Sequence, residues 1–241
     1  GLIAGINAAL KVQDKEPFIV RRSEGYIGVL IDDLVTKGIM EPYRLLTSRA
    51  EYRLVLRQDN ADLRLTEKGR AIGLVDDYRW EIFQRKAEEI ERIKSEWQEI
   101  SFTPADLEMQ HLLEELGTSP LKGRASVADL LRRPEVTFER LQPFLPGFEE
   151  VSAEALAEAE TQIKYAGYID KQLADIERFA KLEERTIPPD INYDDIKGLS
   201  TEGRQRLKQV APANLGQASR ITGVTPADIS VLLVYFEQRR R

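Results

Sequence analysis

The fold class is decided by residues 77–100, which read DYRWEIFQRKAEEIERIKSEWQEI. Side chains that share one helical face recur in this stretch at steps of three and four residues. They are Trp80, Phe83, Ala87, Ile90, Ile93, Lys94 and Trp97. The spacing predicts one long amphipathic helix from about Asp77 to Ile100. A second pattern of this kind begins after Ser152, continues toward Arg185 and predicts the longest helix of the chain.

Residues that begin or end helices divide most of the remaining chain after residue 76. Predicted caps are Thr103 with Pro104, Ser126, Asn214, and Thr225 with Pro226, and predicted stops are Gly117, Pro134 and Gly223. The last helix is expected to continue to the closing arginines at 239–241. Pro143, Pro146 and Gly147 mark a boundary between two helical subdomains. The predicted fold class is therefore mainly α.

The stretch from Pro17 to Asp76 carries mixed patterns. Phe18–Arg22 has residues typical of strands, while residues 26–35 fit either a strand or a short helix. Ser48 and Glu51 fit a capping box that begins a helix through Arg57, although the side chains from residue 52 onward also alternate as in a strand. We favour the helix. A small mixed α/β segment is therefore expected before residue 77.

Composition restricts the class of protein. The chain has 241 residues, no cysteine and a formal net charge of −6. A disulfide or a thiolate metal site is therefore excluded, and coating of a nucleic acid by bulk attraction is disfavoured. No apolar run approaches the roughly 18 residues that span a bilayer, and no secretory leader is recognised. We expect a soluble cytoplasmic protein.

No catalytic residue or metal site is predicted. His111, the only histidine, lies in an ordinary amphipathic pattern and is expected at the surface. The chain lacks a P-loop and a Gly-x-Gly-x-x-Gly dinucleotide loop. Acid pairs such as Asp32-Asp33 and Asp194-Asp195 are adjacent, so on a regular element they cannot face one substrate together. They are interpreted as caps or solvated turns.

A cluster of arginines in residues 42–65 is the strongest binding signal. Five arginines are interleaved there with tyrosines and leucines in an otherwise acidic protein. Arginine matches phosphate with a planar fork of donors and stacks on bases, so the segment favours RNA binding. The alternative is a structural network of ion pairs with Glu51, Asp59 and Asp62. A third hypothesis, a helix-turn-helix DNA reader at residues 215–229, is disfavoured because its second helix offers almost no base-reading donors.

Four motifs together resemble one family. They are Ser48–Arg53 (SRAEYR), Asp59–Thr66 (DNADLRLT), Lys164–Ile169 (KYAGYI) and Ala218–Pro226 (ASRITGVTP). In this order they are similar to the C-terminal part of the MnmG family, also called GidA. The resemblance covers essentially the whole chain and is weakest at residues 95–150.

The resemblance implies a flavoprotein that modifies tRNA together with the GTPase MnmE. The family adds a carboxymethylaminomethyl or aminomethyl group to carbon 5 of the wobble uridine, using FAD, NADH and methylene-tetrahydrofolate. The family's flavin loop and NADH-binding insertion lie upstream of Gly1, so this fragment is expected to bind no cofactor and to be inactive alone. The full-length protein is expected to form a homodimer and a hetero-oligomer with MnmE.

The resemblance also assigns domains and sites. Residues 1–76 are the tail of the FAD-binding domain with a connecting basic segment, residues 77–150 form a first helical subdomain, and residues 151–241 form a C-terminal one. The tRNA-binding candidates are Tyr43, Arg44, Arg49, Tyr52, Arg53, Arg57 and Arg64. The candidates for docking the GTPase are Lys164, Tyr165, Gly167, Tyr168 and Gln172. A helical protein-interaction module without its own RNA contact stays the alternative.

Overall fold

Helices make up most of the structure, a computed structural model that describes residues 1–37 and 42–239. In chain order they are α1 Leu2–Val12, α2 Tyr26–Thr36, α3 Ala61–Ala71, α4 Asp77–Glu99, α5 Leu107–Glu115, α6 Val127–Leu131, α7 Phe138–Leu141, α8 Ala153–Glu183, α9 Thr201–Val210, α10 Leu215–Ser219 and α11 Pro226–Arg239. Strands β1 Ser101–Phe102 and β2 Ala125–Ser126 pair antiparallel, with Ser101 opposite Ser126. The mainly α class is confirmed. The predicted end of the last helix at residues 240 and 241 lies outside the described residues.

The chain forms two compact units. Unit one comprises Gly1–Leu56 and Lys171–Arg241, and unit two comprises Arg57–Asp170. In unit two, Leu145 and Phe148 share one buried core with Ala159 and Ile163 of α8. The compact unit therefore continues past residue 150, where the sequence predicts a subdomain boundary, because the start of α8 completes the core.

Helix α4 provides most of one wall of the unit-two core. Asp76 caps it by accepting a hydrogen bond from the Arg79 backbone N–H at 2.8 Å, and the helix ends at Glu99, as predicted. Trp97 is fully buried and stacks on Phe138 with ring centroids 5.0 Å apart. The spacing of apolar side chains in this segment therefore identified both the helix and its buried face.

Two shorter elements of unit two differ in how well their caps were predicted. Ser126 begins α6 with a full capping box, in which it exchanges hydrogen bonds with Asp129, and this prediction is confirmed. The helix expected to begin at Thr103 and Pro104 begins instead at Leu107. Thr103 donates its backbone N–H and its hydroxyl to the Asp106 carboxylate, which forms a turn before the helix.

The end of unit one packs α9, α10 and α11 around a separate core. Ile229 and Leu232 of α11 are buried in that core. Thr225 caps this helix as predicted, by accepting a hydrogen bond from the Asp228 N–H at 3.2 Å, and the buried Asp228 carboxylate accepts in return from the backbone N–H and hydroxyl of Thr225. Since the side chains of the supposed recognition helix are used for packing, the DNA-reading hypothesis loses its support.

The start of unit one contains no strand among its described residues, although Phe18–Arg22 has residues typical of strands. The side chain of Asn7 bonds both the N–H and the C=O of Phe18, at 2.6 and 3.0 Å, and takes the place of a neighbouring strand. Residues 26–36 form α2, so this stretch is a helix and not the alternative strand. An added Cβ at Gly28 would lie 2.3 Å from the carbonyl oxygen of Arg21, so this close approach requires glycine.

The helix favoured from Ser48 to Arg57 is also wrong. Only a 3₁₀ turn forms, at Thr47–Arg49, and irregular turns follow it. Glu51, expected to close the capping box, instead binds the buried guanidinium of Arg22 at 2.6 Å. A tertiary ion pair therefore replaces the local cap, and the chain turns so that Ala50 and Leu56 become buried beside Val29.

Helix α8 is the longest element, as predicted, and Ser152 caps it through a bond from the Ala155 N–H at 3.1 Å. Its side chains are buried only in the first part, up to Ile163. Gly167 lies within the continuous helix, and an added Cβ there would meet nothing within 4 Å among the described residues. The close approach that this glycine permits is therefore not made by the described part of the chain.

Candidate functional site

A buried arginine organises the segment that carries the arginine cluster. Arg22 is 5% exposed and donates to Asp33 at 2.7 Å and to Glu51 at 2.6 Å. It also donates to the backbone carbonyl of Arg49 at 3.2 Å. One side chain thus ties α2 to the loop at residues 47–51. Its pKa is raised because the hydrogen bonds and charges of Glu51 and Asp33 outweigh the effect of burial.

Asp33 is the acidic centre of this arrangement. It is fully buried, and burial alone would raise the pKa of its carboxyl, but hydrogen bonds from Lys37, Arg22 and Tyr43 outweigh burial and lower that pKa. Tyr43 donates its hydroxyl to Asp33 at 2.9 Å. The guanidinium of Arg49 lies 4.6 Å from the centre of the Tyr43 ring and 3.6 Å from Asp33. The carboxylate therefore holds two tRNA-binding candidates in fixed positions.

Arg44 and Arg53 differ from the other arginines of the segment. Both are exposed, and neither has a carboxylate partner within residues 1–37 and 42–239. The Nε of Arg53 makes a long hydrogen bond of 3.4 Å to the carbonyl of Ala50. Their charges are therefore available to an anion.

The arginines that fall in unit two are used within the protein. Arg57 donates to both oxygens of Glu158 at 2.7 Å and to Asp59 at 3.0 Å. Arg64 donates to the Asn60 side chain at 3.0 Å and to the backbone carbonyl of Arg57 at 2.8 Å. Arg57 thus fits the alternative of a structural ion-pair network, and the hydrogen bonds of Arg64 hold it within its own unit.

A cavity of about 250 Å³ in unit one brings together two residues predicted for different roles. Tyr52, a tRNA-binding candidate, and Gln172, a docking candidate, both line it. Phe179, Ile176 and Ala180 complete its apolar wall. Burial, followed by the charge of Glu51, raises the pKa of the Tyr52 hydroxyl, so the ring stays neutral at physiological pH.

The Gln172 side chain has an unsatisfied polar atom. Its Oε1 is buried and has no hydrogen-bond partner among the described residues. A buried polar atom without a partner costs about 1–3 kcal/mol, so such an atom needs an explanation. A ligand that carries a hydrogen-bond donor and enters the cavity would supply the partner that Oε1 lacks.

The other docking candidates lie on α8 in unit two. Tyr165 and Tyr168 are 44% and 67% exposed. Lys164 is paired with Glu160 at 2.9 Å, one turn earlier on the same helix. Gly167 has open space beside it. These residues form an exposed aromatic surface, and aromatic rings are enriched among interface hot spots.

An added Cβ at Gly1 or at Gly5, at the start of α1, would meet nothing within 4 Å among the described residues. No contact with a flavin is assigned to these residues.

Sequence patterns missed Arg22, Asp33 and Arg220. Asp32 and Asp33 are not solvated turn residues, because Asp33 is fully buried and Asp32 binds both Arg22 at 3.1 Å and Arg220 at 3.0 Å. Asp194 does lie at the surface, where it pairs with Lys208. The sequence did contain a signal for the buried Arg22–Asp33 pair, because Asp32 and Asp33 interrupt an apolar run at residues 26–35. An acid in such a run predicts a buried cation nearby.

Models of two domains of one family match this chain. The "tRNA modifying enzyme MnmG/GidA C-terminal helical domain" matches residues 77–173, and the "tRNA modifying enzyme MnmG/GidA C-terminal helical bundle" matches residues 175–241.

Within the described residues, no helix has the length and apolar character that crossing a bilayer requires.

Individual relatives and a solved structure agree with these matches. The tRNA uridine 5-carboxymethylaminomethyl modification enzyme MnmG of Desulfitobacterium hafniense is 66% identical over the whole chain, and that of Syntrophomonas wolfei is 57% identical. The chain spans 38% of the length of each. The crystal structure of Aquifex aeolicus GidA superposes with a TM-score of 0.75 at 42% identity, over 96% of this chain and 36% of that one.

Proposed function

This chain belongs to the MnmG/GidA family of tRNA-modifying enzymes, and from that membership we propose that it holds the tRNA while its wobble uridine is modified at carbon 5. The observation that carries the proposal is the exposure of Arg44 and Arg53. Their charges lack carboxylate partners among the described residues, although the chain as a whole is acidic. Arg49 and Tyr43, held by Asp33, support the same loop.

The chemistry of the whole enzyme belongs to the same proposal. FAD, NADH and methylene-tetrahydrofolate are the cofactors, and the flavin, when bound, supplies redox and one-carbon chemistry. The product carries a carboxymethylaminomethyl or aminomethyl group on the uridine. The residues of this chain bind and orient the RNA, in the cytoplasm, and the full-length protein assembles as a homodimer with the GTPase MnmE.

Exposed apolar side chains support the assignment of residues 1–76 to the tail of the FAD-binding domain. Leu2, Val12, Ile19, Leu45 and Leu46 are between 50% and 88% exposed in unit one. Several large exposed apolar side chains in one stretch are typical of a surface that another segment covers. We assign that covering segment to the flavin-binding domain.

The double variant Arg44→Ala with Arg53→Ala tests the tRNA-binding proposal. We expect its affinity for unmodified tRNA to fall about 10- to 100-fold, because each charge-assisted hydrogen bond contributes about 1.5–3 kcal/mol and part of this is recovered by water. The dependence of log K on log salt should become shallower by about 1.5, since each phosphate contact contributes roughly 0.7–0.9. Fluorescence titration of labelled tRNA at several salt concentrations measures both quantities.

The matched control is Arg79→Ala with Arg85→Ala, on exposed positions of α4. It removes the same two charges from a surface outside the proposed site. Equal losses in the two double variants would mean that bulk charge governs binding, and the proposal would then be wrong. Wild-type chain that does not bind tRNA at low salt would leave the alternative, a protein-interaction module.

Docking of MnmE is proposed on the tyrosine face of α8. Tyr165→Ser with Tyr168→Ser should weaken binding of the purified GTPase about 30-fold or more, the effect of losing aromatic hot spots of about 2 kcal/mol. The melting temperature and tRNA affinity should stay unchanged, because both rings are exposed. Tyr78→Ser, at a 73% exposed position of α4, is the control. GTPase affinity that is unchanged in the double variant would exclude this face.

A further inference from the structure

We propose that the unit-one cavity lined by Tyr52, Gln172 and Phe179 binds one unstacked base of the tRNA. This inference rests on the proposed function, because the base arrives with the bound RNA. It assigns a role to Phe179, which no sequence motif identified, and gives Gln172 a role in RNA binding in place of partner docking.

The walls of the cavity suit a planar ring. Two aromatic side chains, Tyr52 and Phe179, line it together with Ile176 and Ala180. Single-stranded RNA is commonly recognised by stacking of unpaired bases on aromatic side chains. Ligand pockets for larger molecules span about 300–1,000 Å³, so a cavity of about 250 Å³ is suited to a single base.

The charges around the cavity favour a neutral ring over an anion. Arg220 donates Nε and Nη2 to Asp32, each at 3.0 Å, and Nη1 to Glu183 at 2.9 Å. Arg22 is similarly occupied by Asp33 and Glu51. The buried Arg22 and the partly buried Arg220 at the wall are thus already paired, and a phosphate entering the cavity would have to displace a carboxylate.

The amide of Gln172 lies at the wall of the cavity, where the edge of a bound base would meet it. The buried Oε1 of Gln172 has no partner in the described part of the chain, and Gln172 lines the cavity. Amide side chains bind the edges of bases because they combine an acceptor with a donor. The imino or exocyclic amino group of a base supplies the donor that Oε1 lacks.

The cavity adjoins cations suited to the backbone of the same nucleotide. Arg21 lines it, is exposed, and has no carboxylate partner within the described residues. Arg53 directly follows Tyr52 in sequence and is exposed as well. A base on Tyr52 and Phe179 therefore leaves its phosphate near Arg21, which lines the same cavity.

Two variants test the cavity: Phe179→Leu, which keeps apolar volume but removes the ring, and Gln172→Leu, which removes the amide. Stacking accounts for about a 5- to 150-fold change in affinity per base, so Phe179→Leu should raise the Kd for unmodified tRNA within that range. The salt dependence should stay unchanged, because no phosphate contact is lost. Tyr78→Leu is the matched aromatic control, and thermal unfolding of each variant verifies that it folds.

A second arm uses the four nucleoside monophosphates with the wild-type chain, and ribose 5-phosphate as the ligand without a base. Shifts of the Gln172 side-chain amide in NMR spectra should appear with the nucleotides, be absent with ribose 5-phosphate, and be lost in Phe179→Leu. This arm reports on the cavity without requiring that tRNA binds.

The outcomes separate the two proposals. If wild-type chain binds tRNA and both cavity variants bind it equally well, the base site is wrong and the arginine surface stands. If wild-type chain does not bind tRNA, the proposed function is wrong for this chain. The nucleotide arm then decides the cavity, because base-dependent shifts support it and their absence overturns it.

Discussion

Replacing Arg22 with methionine is expected to lower the free energy of unfolding by about 3–5 kcal/mol, the usual effect of removing one partner from a buried ion pair. Methionine keeps much of the side-chain volume but leaves the fully buried Asp33 with Lys37, Tyr43 and the more distant Arg49 as its partners among the described residues. It also frees Glu51 and the carbonyl of Arg49. Urea titration of the variant and the wild type measures the difference.

The neighbouring residue supplies the control. Arg21→Met removes the same charge and adds the same side chain at an exposed position with no carboxylate partner in the described structure. Its unfolding free energy should stay within about 0.5 kcal/mol of the wild type. If Arg22→Met resembles Arg21→Met, the buried network does not stabilise the loop at residues 47–51.

The same network predicts a dependence on pH. The folded-state pKa of Asp33 lies below its unfolded value of about 3.9. Its stabilising contribution is therefore complete above the unfolded pKa and is lost as the pH falls through the folded pKa. In Arg22→Met, this acid-dependent loss should be smaller, because Lys37 and Tyr43 then lower the pKa of Asp33 without Arg22.

Arg57→Met should lower the stability of unit two by about 3 kcal/mol or more. Glu158 is 3% exposed and receives two hydrogen bonds of 2.7 Å from Arg57, so in the variant its charge is buried with Gln162 as its one remaining partner among residues 1–37 and 42–239. The double variant Arg57→Met with Glu158→Leu should recover most of the loss, because both charges are then removed. Thermal and urea unfolding of the three variants measure this pattern.

This experiment also distinguishes two roles for Arg57, which is a predicted tRNA contact. A phosphate contact alone would reduce the salt dependence of tRNA binding by about 0.7–0.9 and leave stability nearly unchanged. Asp59→Asn is the control for surface pairing, because Asp59 is 54% exposed and such pairs contribute about 0–1 kcal/mol. A stable Arg57→Met variant with a shallower salt dependence would contradict the structural role.

The sequence alone determined the elements whose information is local. Helix α4 and the cap of α8 at Ser152 follow from periodic apolar residues and from capping side chains within one turn. The sequence also identified the family, because each of its four motifs is a short run of neighbouring residues. These features depend on neighbours within about four residues, which the sequence displays.

The tertiary structure decided the conformation of residues 42–65 and which residues line the unit-one cavity. Ser48 and Glu51 satisfy a local capping rule, but the buried Arg22 competes for Glu51 and prevents the helix. Tyr52 lies in one motif and Gln172 lies three residues after another, and only folding places them in one cavity. A buried charge costs several kcal/mol unless it is paired, which exceeds the roughly 1 kcal/mol of a cap, so long-range ion pairs override local preference where the two conflict.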